Sequence, residues 1–265
     1  MILMDKLESL KDYIKELDKV AIAFSGGVDS TFLLKVCGDV LGENAVPITI
    51  VSPYIPRWEI EEAKELTRKL NLNHQFIEVS IPENIKYNPE DRCYLCKKQI
   101  FTLLKDKAKS LGIDYIIDGT NLDDTKDYRP GMKALKELEV KSPLLDLGFT
   151  KKDIRGYSKE LNLETWSKPA YACLLTRLQV GEEITEEKLR KIEKSERYLF
   201  SLGLTGIRVR NHGDLARIEV QPQDREKLFN VDIMNKISEK LKEFGFKYVT
   251  LDMSGYKMGS LNKEK

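Results

Sequence analysis

The sequence has no long hydrophobic run, no excess of one charge and few cysteines. No apolar stretch approaches the ~20 residues that a membrane-spanning helix needs, so we expect no membrane partner. The 44 Lys and Arg residues balance 43 Asp and Glu residues, which argues against a dedicated nucleic-acid binder because such proteins carry a basic excess. With only four cysteines in 265 residues, we do not expect disulfides to hold the fold.

The amino-terminal residues also lack the features of a secretory signal, because the apolar residues 1–4 are followed at once by charged side chains. We therefore expect a cytoplasmic protein. A chain of 265 residues is long enough for one large or two modest domains with a buried core.

Strand-like and helix-like segments alternate along the first two-thirds of the chain. Strands are expected at 20–24, 45–52, 74–80 and 115–118, and helices at 5–18, 30–41, 57–70, 93–111 and 150–161. The last of these helices begins at residues that resemble a capping box. Strands that are separated by helices form right-handed βαβ units, so this part of the chain predicts an α/β fold with a parallel sheet.

The order of elements changes at about residue 182. The remaining pattern predicts a helix at 184–202, strands at 206–210 and 215–220, a helix at 224–244 and a strand at 247–251. A hairpin turn is expected at 211–214. We therefore predict a parallel-sheet domain over residues 1–180 and a smaller α+β domain over residues 181–265.

Residues 25–30, Ser-Gly-Gly-Val-Asp-Ser, form the most informative motif and follow the first predicted strand. Unpaired N–H groups and the positive end of the next helix attract an anion there. Gly26 and Gly27 permit tight backbone and close approach of a ligand. Asp29 would repel a bare phosphate, which predicts a Mg²⁺ ion between the two. The pattern is not a Walker loop; it resembles the PP-loop of the N-type ATP pyrophosphatases.

A second turn, residues 118–121, follows the fourth predicted strand. Ligands of parallel sheets bind at the carboxyl ends of the strands, so Gly119, Thr120 and Asn121 are expected beside the PP-loop. Their backbone donors and hydroxyl suit a phosphate or ribose, although an ordinary Asx turn has the same sequence. Nearby carboxylates are those of Asp123, Asp124 and Asp127.

Two of the four cysteines have the spacing of a metal centre, and a third is available to join them. Cys93 and Cys96 lie three residues apart, and Cys173 is the only plausible third thiolate, since Cys37 falls on the apolar face of a predicted helix. The spacing alone leaves several interpretations open. These are a zinc site completed by His74 or His212, a 4Fe–4S cluster with one open iron, a C-x-x-C redox pair, and unconnected buried thiols.

Arg208 and Arg210 lie two residues apart on a predicted strand, so their side chains share one face. Guanidinium groups bind phosphate well, and a basic strand face suits a nucleotide-like substrate. The alternative is surface charge that pairs with Glu219 or Asp214.

Seven segments together resemble the LarE family of ATP-dependent sulfur transferases, which help to build the nickel-pincer nucleotide cofactor. The SGGxDS element at residues 25–30 is shared with GMP synthetases, NAD synthetases and tRNA-thiolating enzymes, whereas the segments at 127–135 and 168–177 are much more particular to LarE. The segments are 25–30, 92–97, 118–124, 127–135, 142–155, 168–177 and 208–220.

The resemblance implies a two-step reaction. ATP adenylates a carboxylate of pyridinium-3,5-biscarboxylic acid mononucleotide and releases pyrophosphate, and sulfur then displaces AMP to leave a thiocarboxylate. Repetition on the second carboxylate gives the dithio product. Adenylation helps because a carboxylate resists nucleophiles until its oxygen becomes a good leaving group, and Mg²⁺ with the loop amides would stabilise the departing pyrophosphate.

The resemblance also implies roles for individual residues. In one LarE type a single cysteine, at the position of Cys173, gives up its own sulfur; in the other, three cysteines hold a 4Fe–4S cluster whose open iron carries an extra sulfide. Cys93 and Cys96 together with Cys173 match the cluster type. Catalytic roles fall on Asp29, Cys173, Arg177 and Glu196, ATP binding on Ser25, Gly26, Gly27, Asp29, Ser30, Gly119, Thr120 and Asn121, and substrate binding on Thr176, Arg177, Arg208 and Arg210.

The implied partners are a small nucleotide, inorganic sulfide or another sulfur donor, and further copies of the chain in a homohexamer. Thr176 stands where the family commonly has serine. One alternative is a cluster-dependent PP-loop enzyme that thiolates tRNA. Such an enzyme would need an RNA-binding module or a basic surface to bind tRNA. Another is a non-catalytic nucleotide-binding protein held by zinc.

Overall fold

A computed structural model describes residues 2–126, 130–169 and 172–256 of the chain. Contacts divide the chain into two compact units. The first unit contains the residues up to 82 and those from 91 to 171, and the second contains residues 83–90 and those from 172 onward. Within the described ranges, no helix is long and apolar enough to cross a membrane.

The first unit is built on a four-stranded, fully parallel sheet in the order β3-β2-β1-β4. Its strands are β1 (Val20–Ala23), β2 (Ala45–Val51), β3 (Gln75–Glu78) and β4 (Tyr115–Ile117). Its helices are α1 (Ile2–Lys15), α2 (Val28–Leu41), α3 (Arg57–Lys69), α4 (Arg92–Ser110), α5 (Gly131–Glu137), α6 (Pro143–Asp146) and α7 (Lys151–Glu160). The predicted α/β class and parallel sheet are confirmed.

Alternating side chains of β1 enter two different hydrophobic cores, as expected for a strand that is covered on both faces. Ile22 belongs to the cluster that contains Phe32 of α2 and Ile154 of α7. Ala21 belongs to the cluster that contains Phe101 of α4. Cys37 is fully buried in the first cluster, and burial raises the pKa of its thiol. Its assignment to the core is therefore confirmed.

The amino end of α7 is a capping box, as predicted. The Thr150 hydroxyl oxygen accepts a hydrogen bond from the Asp153 N–H at 3.2 Å, and the Asp153 carboxylate accepts one from the Thr150 N–H at 2.9 Å. This reciprocal pair satisfies two N–H groups that a helix start leaves unpaired. It determines where α7 begins and therefore where Lys151, its first residue, is held.

The second unit has a three-stranded sheet. Its elements are α8 (Glu186–Ser201), β5 (Arg208–His212), β6 (Leu215–Glu219), α9 (Val231–Glu243) and β7 (Tyr248–Leu251). β5 and β6 form the predicted antiparallel hairpin, and β7 pairs parallel to β6. Leu199, Val209, Ile218 and Leu241 pack in its core.

The helix predicted over 224–244 is wrong in its first seven residues. Residues 222–224 and 226–228 form short 3-10 turns, and α9 begins only at Val231. The reason is the Asn230 side chain, whose oxygen accepts hydrogen bonds from the N–H groups of Asp232 and Ile233. Such a side chain stabilises a helix start better than a helix interior.

Asn88 links residues 83–90 to the rest of the second unit. Its side chain is fully buried and donates to the carbonyl oxygens of Leu178 at 3.1 Å and Gln179 at 2.8 Å. The Gly181 N–H in turn donates to the Asn88 carbonyl at 3.2 Å. A discontinuous unit of this kind cannot be read from local sequence patterns, and the boundary at residues 180 and 181 stays a prediction.

Candidate active site

The PP-loop, residues 25–30, joins the carboxyl end of β1 to α2. The hydroxyl oxygens of Ser25 and Ser30 lie 3.2 Å apart, and the Ser30 hydroxyl donates to the Gly27 carbonyl at 3.2 Å. Gly27 is the N-cap residue of α2, and no side chain within the described ranges caps this helix end. The first N–H groups of α2 are therefore available to an anion.

Gly26 occupies a position where only glycine fits well. Its φ angle is +68°, and an added Cβ would lie 3.3 Å from the Cβ of Ala63 on α3. The Lys168 ammonium donates to the Gly26 carbonyl at 3.0 Å and pairs with Glu62, also on α3, at 2.6 Å. The loop is thus held against α3 from two sides.

Gly26→Ala should lower the rate of ATP-dependent pyrophosphate release about tenfold or more. The left-handed conformation costs an L-residue roughly 1–2 kcal/mol, and relief by movement away from Ala63 would displace the loop amides. Steady-state pyrophosphate assays would measure the loss. The matched control is Gly42→Ala at the other end of α2, where φ is +55° and nothing lies within 4 Å of an added Cβ. Equal losses in both variants would contradict a local effect on the loop.

The second turn, residues 118–121, packs directly on the PP-loop. An added Cβ at Gly119 would lie 3.0 Å from the Ser30 nitrogen. The Asp118 carboxylate accepts hydrogen bonds from the hydroxyls of Thr120 at 2.5 Å and Ser142 at 2.6 Å. Asn121 is fully buried, and its Nδ2 has no hydrogen-bond partner in the described part of the chain. The second turn therefore lies beside the PP-loop, as expected from the strand ends. The Thr120 hydroxyl, however, already donates its hydrogen bond to Asp118.

Asp29 is the charged centre of this region. Its Oδ2 contacts the ammonium of Lys151, while Oδ1 is buried and has no hydrogen-bond partner among the described residues. Burial raises the pKa of Asp29, Lys151 opposes this rise, and the negative charge of Asp124 adds to it. The Lys151 N–H also donates to the Asp123 carboxylate at 2.7 Å. Asp127 lies outside the described residues.

These residues fit a Mg²⁺ ion. A buried carboxylate oxygen without a donor in the described ranges, Oδ1 of Asp29, is a suitable hard ligand for such an ion. Lys151 was not assigned a role from the sequence. Only its position after the capping threonine was visible there, and its contact with Asp29 spans 122 residues of the chain.

Cys93 and Cys96 are the second and fifth residues of α4 and lie on one side of the helix. Cys93 is exposed and Cys96 is half-buried, with its thiol donating to the Tyr54 hydroxyl at 3.6 Å. Cys173 belongs to the second unit, is half-buried and immediately precedes the 3-10 turn Leu174–Arg177. Among the described residues, none of the four cysteines forms a disulfide.

The described ranges contain no group of three or more His, Cys, Asp or Glu side chains arranged to hold a metal ion. Thiolate sulfur, as a class of donor, suits an iron–sulfur cluster and not a hard metal ion. His74 does not strengthen the zinc alternative, because both of its ring nitrogens already have hydrogen-bond partners. The ring nitrogens of His74 contact the hydroxyls of Thr67 at 2.8 Å and Thr49 at 2.7 Å, and His212 contacts Gln179 at 2.6 Å.

The first unit should lose stability as pH falls from about 6.5 to about 4. Burial lowers the pKa of His74 from its ordinary value of 6.5 to about 4, so across this interval the unfolded chain binds a proton that the folded chain does not. The unfolded state gains from this proton, and the loss of stability grows as pH falls. Urea unfolding at several pH values would measure it. His74→Gln should flatten the profile; an unchanged slope would assign the acid sensitivity to carboxylates.

Arg177 is fully buried and pairs with Glu196 through two hydrogen bonds of 2.9 Å each. Its remaining terminal nitrogen donates to the carbonyl oxygens of Ala172 at 2.7 Å and Cys173 at 3.1 Å, and to the Thr176 hydroxyl. The guanidinium therefore holds the backbone around Cys173.

Arg210 forms a second buried pair, with Glu219, through hydrogen bonds of 3.0 and 2.7 Å. It also donates to the Thr176 carbonyl at 2.6 Å. Arg208 is 3% exposed, donates to the Ile207 carbonyl and lies 4.8 Å from the ring centre of Tyr256. Arg210 thus pairs with Glu219, one of the two carboxylates considered from the sequence. Both arginines are buried, however, so they are not surface charge.

The parallel sheet, the uncapped SGGxDS loop at the end of β1 and the second turn packed on it define a PP-loop nucleotide-binding domain. A family model described as NAD synthase matches residues 2–110. The chain is 36% identical, over 98% of its length and 95% of the relative's, to the pyridinium-3,5-bisthiocarboxylic acid mononucleotide synthase of Lactiplantibacillus plantarum. The chain belongs to the LarE family and is an ATP-dependent sulfurtransferase.

Two further relatives are similar over nearly their whole lengths. An uncharacterized protein of Synechocystis is 44% identical over 98% of both chains. An uncharacterized protein of Methanocaldococcus jannaschii is 37% identical over 97% of this chain and 99% of its own. The similarity thus extends over both compact units and is not confined to the nucleotide-binding part.

Proposed function

We propose that the enzyme converts the two carboxylates of pyridinium-3,5-biscarboxylic acid mononucleotide to thiocarboxylates, a step in the synthesis of the nickel-pincer nucleotide. The observation that carries this proposal is the near full-length similarity to the Lactiplantibacillus plantarum synthase. The uncapped end of α2 beside Asp29 supports the ATP-activating half of the reaction.

In the first step, a substrate carboxylate oxygen attacks the α-phosphorus of ATP, and the electron pair of the broken bond leaves with pyrophosphate. The N–H groups at the start of α2 would hold the phosphates, and the two serine hydroxyls of the loop would orient them. Asp29 would hold Mg²⁺, which supplies positive charge to the leaving group when bound.

In the second step, a sulfide attacks the carbonyl carbon of the acyl adenylate, and AMP leaves with the carbon–oxygen electron pair. Cys93, Cys96 and Cys173 would hold a 4Fe–4S cluster, which supplies the sulfide when bound. Arg177 and Arg210 would keep the backbone at Cys173 and Thr176 in place, and Arg208 would bind the substrate phosphate. Free sulfide would then reload the sulfur donor after each turnover, so no cysteine of the protein would lose its own sulfur.

An anaerobic assay with ATP, Mg²⁺, sulfide and the pyridinium dicarboxylate nucleotide tests the proposal. Mass spectrometry should detect successive replacement of two oxygens by sulfur. Omission of ATP should remove both products. A thiolated product from tRNA, with none from the nucleotide, would overturn the proposal in favour of tRNA thiolation.

The cluster has its own test. Anaerobically purified protein should contain iron and sulfide and absorb broadly at about 400 nm. Cys93→Ala and Cys96→Ala should lose this absorption, whereas Cys37→Ala, which changes a buried core thiol, should keep it. Stoichiometric zinc without iron would contradict the cluster.

We also propose that the enzyme is a cytoplasmic homohexamer, with a PP-loop domain over 1–180 and a small domain over 181–265. The similarity to the synthase covers residues on both sides of this proposed boundary. Light scattering on the purified protein would measure the number of copies, and a monomer would contradict the assembly.

A further inference from the structure

Lys151 differs from the other cations close to the PP-loop. Arg155, one turn later on α7, donates to the carbonyl oxygens of Trp166 and Lys168, and the Lys168 ammonium donates to the Gly26 carbonyl. These contacts hold backbone in place. Lys168 also pairs with Glu62 on α3. The Lys151 ammonium instead lies on Asp29, a carboxylate of the PP-loop itself, and the Lys151 side chain is 34% exposed.

The backbone of Lys151 is anchored, whereas its ammonium can reach more than one partner. The backbone N–H is anchored on Asp123 at 2.7 Å, and the preceding capping box fixes the start of α7. The charge itself stands at the end of a flexible four-carbon stem with three rotatable N–H donors. The residue can therefore change its partner without any change in the backbone.

The charges at Asp29 require such a change when Mg²⁺ and ATP bind. The Asp29–Lys151 pair is neutral, so it offers little attraction to a free phosphate. A divalent ion on the same carboxylate would repel the ammonium, because like charges at such distances interact unfavourably even at high effective dielectric. The nearest new anion would be the triphosphate at the start of α2.

We propose that Lys151 is a catalytic residue that exchanges partners: it pairs with Asp29 before ATP binds and moves to the phosphate oxygens once Mg²⁺ occupies Asp29. This inference rests on the proposed ATP-dependent first step and adds a residue to it. As the bond between the α-phosphorus and the bridging oxygen breaks, the electron pair stays on pyrophosphate. Lys151 stabilises that charge by hydrogen bonding and remains protonated throughout.

The exchange predicts opposite effects of one substitution on two measurements. Lys151→Met keeps the length of the stem and removes the charge that competes for Asp29. Without nucleotide, this variant should bind Mn²⁺, a paramagnetic probe for Mg²⁺, several-fold more tightly than the wild type. With ATP and the carboxylate substrate, it should release pyrophosphate about 100-fold more slowly, the typical cost of one transition-state donor. Lys151→Arg should recover part of the rate.

Lys152→Met is the matched control, because Lys152 is the adjacent residue and is exposed; both of its values should equal those of the wild type. Electron paramagnetic resonance titration measures the Mn²⁺ affinity, and a coupled assay measures pyrophosphate. A structural role for Lys151 would instead weaken both and lower the unfolding temperature, and unchanged values would leave Lys151 without a role; either result overturns the proposal. The Mn²⁺ measurement needs no substrate, so it stands even if the sulfur acceptor proves to be another molecule.

Discussion

Cys173→Ala should abolish thiocarboxylate formation while ATP-dependent pyrophosphate release stays measurable. The groups proposed to act on ATP belong to the PP-loop and its neighbours, and Cys173 is not among them. The acyl adenylate would still form in this variant and would then hydrolyse or dissociate for lack of a sulfur nucleophile. Parallel measurements of pyrophosphate and of product mass, in the presence of added sulfide, would separate the two steps.

Two variants control for other effects of this substitution. Cys173→Ser keeps the size of the side chain and should also make no thiocarboxylate. Cys37→Ala removes a thiol that is fully buried and therefore chemically inert, and it should keep product formation. Normal product from Cys173→Ala with supplied sulfide would show that this thiol has no part in sulfur transfer.

Glu196→Gln should destabilise the second unit by about 3–5 kcal/mol, the usual cost of leaving one partner of a buried ion pair uncompensated. Both side chains of the Arg177–Glu196 pair are 1% exposed. The Glu196 carboxylate also accepts a hydrogen bond from the Val209 N–H at 2.9 Å, so the substitution disturbs β5 as well. Urea unfolding would measure the change in the free energy of unfolding.

Steady-state kinetics, combined with the unfolding measurement, separate a positioning role for Arg177 from direct substrate binding. If Arg177 holds the backbone at Ala172 and Cys173, Arg177→Lys should lower kcat more than it raises KM, and it should also reduce stability. If Arg177 binds substrate, KM should rise while stability changes little. Replacing both partners, as in Arg177→Met with Glu196→Leu, should recover much of the lost stability but not the activity.

An exposed ion pair provides the control for the stability measurement. Lys240 and Glu243 are paired at 2.6 Å, with side chains 41% and 61% exposed. Lys240→Gln should change stability very little, because solvent screens such pairs. A loss at Glu196 as small as that at Lys240 would contradict the idea that the buried pair supports the Cys173 segment.

Local patterns in the sequence predicted most elements of both units. The capping box at Thr150, the hairpin between β5 and β6, and the burial of Cys37 all depend on residues close in the chain, and all are present. The start of α9 was predicted wrongly because the apolar pattern continued through residues that Asn230 separates from the helix. A capping side chain outweighs periodicity when the two disagree.

The sequence by itself determined the alternation of strands and helices, the PP-loop between β1 and α2, and the family to which the chain belongs, because glycine, capping residues and apolar spacing act over a few residues. Only the tertiary structure decided which charges meet. It placed Lys151 on Asp29, and it buried Arg177 with Glu196 and Arg210 with Glu219, where both arginines donate to backbone carbonyls. Such pairs join side chains far apart in the chain, and the packing of sheet and helices determines the distance between them.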